Sequence, residues 1–159
     1  MSVHRLKTIQ KIPADIDSVW NFFSDPANLK IITPEHLDFN ILTAQDEPGI
    51  HSGKIIEYTV KPILKVPVYW MTEITFVEQR KFFVDEQREG PYSLWHHQHH
   101  FKSIEGGTEM KDVVHYKLHF GVLGDLVNKL LIKNQLNHIF SFRFSKVESI
   151  FGKWQDSIH

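Results

Sequence analysis

The sequence predicts an α+β fold: a curled, seven-stranded antiparallel sheet around a long C-terminal helix, with two short helices after strand 1. Three observations predict it. Seven strand-like runs are joined by short, turn-rich connections, which pairs neighbours antiparallel. The one long amphipathic pattern, 122–151, comes last and is the available cover for the sheet. Residues 15–31 carry two helix starts in succession. A sheet of this size twists and curls, and one helix does not fill its concave side. The remaining volume is a cavity walled by the inward faces of the strands.

Each element has a local reason. In 3–12, Arg5, Lys7 and Lys11 fall on one side and Leu6, Thr8 and Ile12 on the other, a strand with one exposed face that Pro13 ends. Asp15 or Asp17 caps a helix over 16–23, with Val19, Trp20 and Phe23 at helical spacing. Asp25-Pro26 starts a second over 26–31, since proline is tolerated at the first helical position. Strands follow at 39–44, 54–62, 68–77, 82–88, 93–104 and 108–120, the last two joined by a Gly106-Gly107 hairpin. The final helix has two apolar stripes. One is Leu123, Leu126, Val127, Leu130 and Leu131; the other is Ile132, Leu136, Ile139, Phe140, Phe144, Val147 and Phe151. They point in different directions, which predicts a bend or break near 132–134, with the second segment against the sheet.

The 159 residues fit one domain over the whole chain, 1–159. A formal net charge of −1 argues against a nucleic-acid partner, which requires a basic face. With no cysteine, disulfides, zinc ribbons and thiol catalysis are excluded. No apolar run approaches the roughly 20 residues of a membrane span, and MSVHRLKTIQ is no signal peptide, so the expectation is a cytoplasmic protein without stable membrane insertion.

The stretch GPYSLWHHQHHF, 90–101, holds four of the eleven histidines. Strand alternation puts Trp95, His97, His99 and Phe101 on one face, and His96, Gln98, His100 and Lys102 on the other. Two aromatics bracketing two imidazoles suit the wall of a small-molecule pocket, mostly apolar with a few polar groups. By the same alternation Trp70, Thr72, Ile74 and Phe76 face inward, as do Ile56, Tyr58 and Val60, and Met110, Asp112, Val114, Tyr116 and Leu118. On 83–88 the alternatives are Phe83, Asp85 and Gln87 or Val84, Glu86 and Arg88. A buried Asp112 requires a partner, and His97 and His99 stand on the adjacent strand.

Several segments resemble the SRPBCC superfamily, which joins START, birch-pollen-allergen and polyketide-cyclase-like proteins. They are IPADIDSVWNFFSDPANLKIITP, FFVDEQREGPYSLWHHQHHF, GGTEMKDVVHYKL, and GVLGDLV with IFSFR up to Arg143. The middle one is most specific and looks like the bacterial ligand-binding SRPBCC domain proteins. The resemblance spans nearly the whole chain and implies the helix-grip fold and a hydrophobic or amphipathic ligand, lipid-, polyketide- or aromatic-like. It also favours Phe83, Asp85 and Gln87 as the inward set. Carriers, sensors, cyclases and hydrolases share this fold, so it does not settle function.

The candidate ligand-binding residues are therefore Tyr58, Trp70, Thr72, Phe83, Asp85, Trp95, His97, His99, Phe101, Met110, Asp112, Tyr116, Leu136 and Phe140. Three readings compete for the Asp–His group. It fixes strand register, it orients a ligand's polar head, or it performs chemistry, with His97, His99 and Asp112 as acid–base residues of a cyclase- or dehydratase-like enzyme. His97, His99 and Asp112 also have metal-compatible spacing, but His-x-His arises easily in a histidine-rich strand; the expectation is no metal and no cofactor. Trp20, Phe22 and Phe23 read as core. Arg143 reads as an ion-pair residue able to reach a carboxylate, and Leu123 to Leu131 as a packed turn or a flap. A protein-interaction module with a vestigial cavity is the remaining alternative.

Overall fold

The computed structural model describes residues 2–43, 48–61, 66–119 and 131–155. Strand β1, His4–Ile12, alternates as expected, with Arg5, Lys7, Ile9 and Lys11 exposed and Ile12 fully buried. Helix α1, Ile16–Phe23, starts at Asp15, whose carboxylate accepts from the Ser18 amide at 2.9 Å. It buries Val19, Trp20 and Phe23. The second helix is a 3₁₀ segment, Pro26–Lys30, capped by Asp25 through the Ala27 amide at 3.0 Å. A further 3₁₀ turn at Glu35–Leu37, not foreseen from the sequence, ends at Asp38 with φ of 45°.

The strands then run as β2 Asn40–Ile41, β3 Ile55–Val60, β4 Val68–Glu78, β5 Phe82–Glu89, β6 Tyr92–Ile104 and β7 Gly107–Leu118. They form one antiparallel sheet in the order β1-β7-β6-β5-β4-β3-β2. The expected 39–44 strand shrinks to two residues, and Ala44, Pro62 and Phe120, its and its neighbours' expected ends, lie outside the described residues. The β6–β7 hairpin turns on Glu105 and Gly106 rather than on Gly106-Gly107. Gly106 supplies the positive φ, 82°. Gly107 already pairs with Ile104, and a Cβ there would sit 2.1 Å from the Ile12 carbonyl oxygen, so close strand packing demands glycine.

Helix α2, Lys133–Phe151, begins after a π-helical turn at residues 131–132, inside the segment where the two stripes predicted a break. Leu123, Leu126, Val127 and Leu130 lie outside the described residues. Of the second stripe, Ile132, Leu136, Phe140 and Val147 are buried, whereas Phe144 is 41% exposed. The helix is tied to β1 where the Gln10 amide donates to the Phe144 carbonyl at 3.0 Å. None of the described helices is long and apolar enough to cross a membrane.

One inward assignment is corrected. Phe76 is 44% exposed because the β4–β5 register shifts between Ile74 and Phe76. A bulge adds one residue and inverts the alternation beyond it. Val77 now packs inside, opposite Phe83, while Phe76 stacks on Phe82 at 4.7 Å on the outer face.

Candidate functional site

Between the concave sheet face and α2 lies a cavity of about 170 Å³. A single buried water needs roughly 10–15 Å³ of such space, so this one accommodates a much larger guest. Its strand walls include Tyr58, Trp70, Thr72, Phe83, Asp85 and Trp95. His97 and His99 complete the floor, and Leu136 and Phe140 come from α2. These are ten of the residues expected there.

Four expected residues stand elsewhere. Phe101 and Met110 face inward but belong to a core cluster with Trp20 and Val147, and Met110 also borders the groove beside Asp112. Tyr116 packs with Val114, Leu136 and Phe140. Asp112 lies behind the two histidines and faces a separate groove lined by Thr8, Gln10 and Phe144. Other lining residues were not among the candidates, Tyr92, Ile139 and Arg143 among them. Tyr92 escaped because the β6–β7 register shifts between Tyr92 and Leu94, which lets Tyr92 and Trp95 both turn inward. Phe22 and Phe23, read as core, also border the cavity.

The apolar wall is a contiguous set of rings. Trp70 stacks on Tyr58 at 5.7 Å and meets Trp95 edge-on at 5.2 Å, and Tyr92 lies 4.9 Å from Trp95. Edge-on and offset arrangements are the favoured geometries for such rings. Burial pushes the Tyr58 and Tyr92 hydroxyls far above the ordinary phenol value, so both remain neutral. The Tyr58 hydroxyl is 3.3 Å from that of Thr72.

The floor is a closed polar tetrad. On β5, β6 and β7 the register sets Asp85 opposite His97 and His99 opposite Asp112. The His97 Nε2–H donates to Asp112 Oδ1 at 3.0 Å, and the His99 Nε2–H donates to Asp85 Oδ2 at 2.7 Å. His99 Nδ1 is also 3.0 Å from Asp112 Oδ1, but off the line of a hydrogen bond, and His97 Nδ1 stands 3.4 Å from Asp85 Oδ2. Thr8 donates to Asp112 Oδ2 at 3.4 Å. Burial alone would raise both carboxyls, yet the imidazoles hold Asp112 far below and Asp85 below the ordinary value. Burial and the neighbouring His99 lower His97, whereas the two carboxylates outweigh burial and raise His99. The two imidazoles are thus pushed apart, His99 towards its protonated form and His97 away from it.

On the opposite face Glu86, His96, Gln98 and His100 form a ladder. His96 Nδ1–H donates to Glu86 at 2.6 Å, the Gln98 amide to His96 Nε2 at 3.0 Å, and His100 Nε2–H to Gln98 at 3.0 Å. The four histidines of the stretch therefore split between faces as alternation predicts.

For a metal, the convergent donors are Asp85, His97 and His99, whose ligand atoms lie within 4.8 Å of one another. The third ligand is thus Asp85 rather than Asp112, which sits on the far side of both rings and would brace them. A metal held there would take the place of the proton between His99 and Asp85.

A family profile described as polyketide cyclase / dehydrase and lipid transport matches residues 12–140. Solved structures agree on the fold. A START superfamily protein from Mycobacterium smegmatis superposes with a TM-score of 0.65 at 14% identity, covering 92% of this chain and 99% of that one. The protein CV1439 from Chromobacterium violaceum gives 0.72 at 9% identity over 94% and 98%. Ara h 8.0201 gives 0.61 at 14% identity over 93% and 99%. No curated protein matches the sequence. With helix-grip structures on every side and a profile running from the end of β1 into α2, the chain belongs to the polyketide cyclase / dehydrase and lipid transport family of the SRPBCC superfamily.

Proposed function

We propose that the protein binds a small hydrophobic or amphipathic molecule in the cavity between the sheet and α2, acting as a carrier or sensor in the cytoplasm. The observation that supports this most directly is the wall of Tyr58, Trp70, Tyr92 and Trp95 meeting a polar floor at His97 and His99. Apolar surface holds the body of such a guest, and a few fixed polar groups orient it. The partner is a small molecule, and neither a nucleic acid nor a membrane is required. Native mass spectrometry of the purified protein is expected to show a co-purifying ligand, or binding in a screen of apolar compounds. A protein that is empty and binds none of them would end this reading.

A second reading follows from the tetrad. His97 and His99 touch the cavity while Asp112 fixes their orientation from behind, the arrangement of an acid–base centre of the cyclase or dehydratase type. Under that reading His97→Ala and Asp112→Asn abolish turnover. Under the binding reading they change affinity, by about 1–3 kcal/mol where a polar partner is left unpaired.

A further inference from the structure

The cavity contains a charged group whose buried donors find no hydrogen-bond partner among the described residues. Arg143 projects from α2, one turn beyond Ile139 and Phe140, and lines both the cavity and the groove beside it. Its guanidinium rests over the Phe140 ring at 5.0 Å, which fixes its direction without using a donor. The Nε and Nη1 atoms are buried and have no hydrogen-bond partner. Among the described residues no carboxylate lies within ion-pair distance of it; Asp85, which lowers its own pKa partly through Arg143, is spent on His99 and His97. Buried guanidinium donors without acceptors are costly, and such donors in a native fold call for an explanation.

The tetrad sharpens the point. Its two carboxylates are engaged by the His97 and His99 rings and not by Arg143. What is missing at Arg143 is therefore an acceptor. A second orphan donor, the indole Nε1 of Trp70, is buried in the same lining. Each edge of the guanidinium fork contains one of the two orphan nitrogens, so a flat, two-oxygen acceptor along either edge engages one of them together with Nη2.

We infer that the cavity selects a carboxylate-bearing amphiphile, whose carboxylate binds the Arg143 guanidinium while its apolar body lies against Trp70, Trp95 and Tyr92. The inference rests on the ligand-binding reading above and adds the chemical class of the guest. Trp70 Nε1 is left for an oxygen substituent farther along that body.

The test uses isosteric pairs: decanoic acid with decanamide, and 2-naphthoic acid with 2-naphthamide, titrated calorimetrically at mildly alkaline pH. In at least one pair the acid is expected to bind the wild-type protein about tenfold or more tighter than the amide, the worth of a charge-assisted contact. Arg143→Gln is expected to bring the two within about twofold, with Arg143→Lys in between because it keeps the charge but loses the fork. The unliganded Arg143→Gln protein is expected to melt no lower than wild type, since it loses an unsatisfied charge. Amides that bind as tightly as the acids would overturn the inference and leave the cavity reading standing. Binding by neither member of either pair would overturn both. Decyl phosphate binding more tightly than decanoate, in an Arg143-dependent way, would replace the carboxylate by a phosphate. A lower melting temperature in unliganded Arg143→Gln would make the guanidinium a structural partner of Asp85 and overturn the inference.

Discussion

The concave face of the sheet is treated differently at its two ends. Beneath α1 it is solid: Trp20 meets Phe83 and Phe101 edge-on at 5.9 and 5.3 Å, and Met110, Ile12 and Val147 close the gaps. Towards β3 and the middle of α2 it is hollow, with Tyr58, Trp70, Tyr92 and Trp95 packed on one another around open space. Strand β6 serves both ends, sending Phe101 into the solid part and Trp95 into the hollow, with His97 and His99 at the frontier. Facing inward is thus a property of a strand, whereas lining a cavity depends on what the opposite layer brings. Under α1 a tryptophan and a phenylalanine descend from above; near Trp95, among the described residues, α2 brings Leu136, Ile139 and Phe140, which border the cavity without filling it.

Substitutions can break or sharpen this contrast. Phe101→Ala at the solid end is expected to cost about 3–5 kcal/mol in urea unfolding, and Trp95→Ala at the hollow end less than half of that while weakening ligand binding. Equal costs would erase the difference between the ends. At the frontier, Asp112→Asn is expected to cost about 2–3 kcal/mol, because one imidazole then loses its charged acceptor.

The tetrad also predicts a pH dependence of melting. The raised His99 contributes stability below its ordinary value of 6.5, lost as pH rises through its folded value. The lowered His97 acts oppositely, and its contribution fades as pH falls below 6.5. Asp85 and Asp112, held low, add stability above their ordinary 3.8 that is lost as pH falls through their folded values. Melting temperature is therefore expected to peak near pH 6.5 and decline on both sides, and Asp112→Asn to flatten the alkaline limb. The smallest effect belongs to the convex face: Phe76→Ser should remove only its stacking with Phe82, about 0.5–1.5 kcal/mol, with ligand binding unchanged.

Much of this was legible in residue order. Asp15, Asp25-Pro26 and Pro13 mark α1 and the 3₁₀ segment through local chemistry, and the two stripes of the C-terminal pattern place the irregularity before α2. The pairing of Asp112 with His97 and His99 was also foreseeable, since a buried carboxylate needs a donor and a tight hairpin puts β6 beside β7. Phe76 was misread and Tyr92 missed for a shared reason. Each lies at a bulge, and a bulge reverses alternation without any signal in composition.

Sequence by itself determined the strand count, the antiparallel pairing of consecutive strands, the inward faces between bulges and the charged groups forced to pair, because these follow from period-two alternation, turn chemistry and the cost of burying charge. Only the tertiary structure decided which inward residues meet a helix and which meet a void. It also decided that Asp85 joins the tetrad and that Arg143 has buried donors left unanswered among the described residues. Those outcomes depend on where α1 and α2 descend onto the sheet, a relation between residues far apart in the chain that no local pattern records.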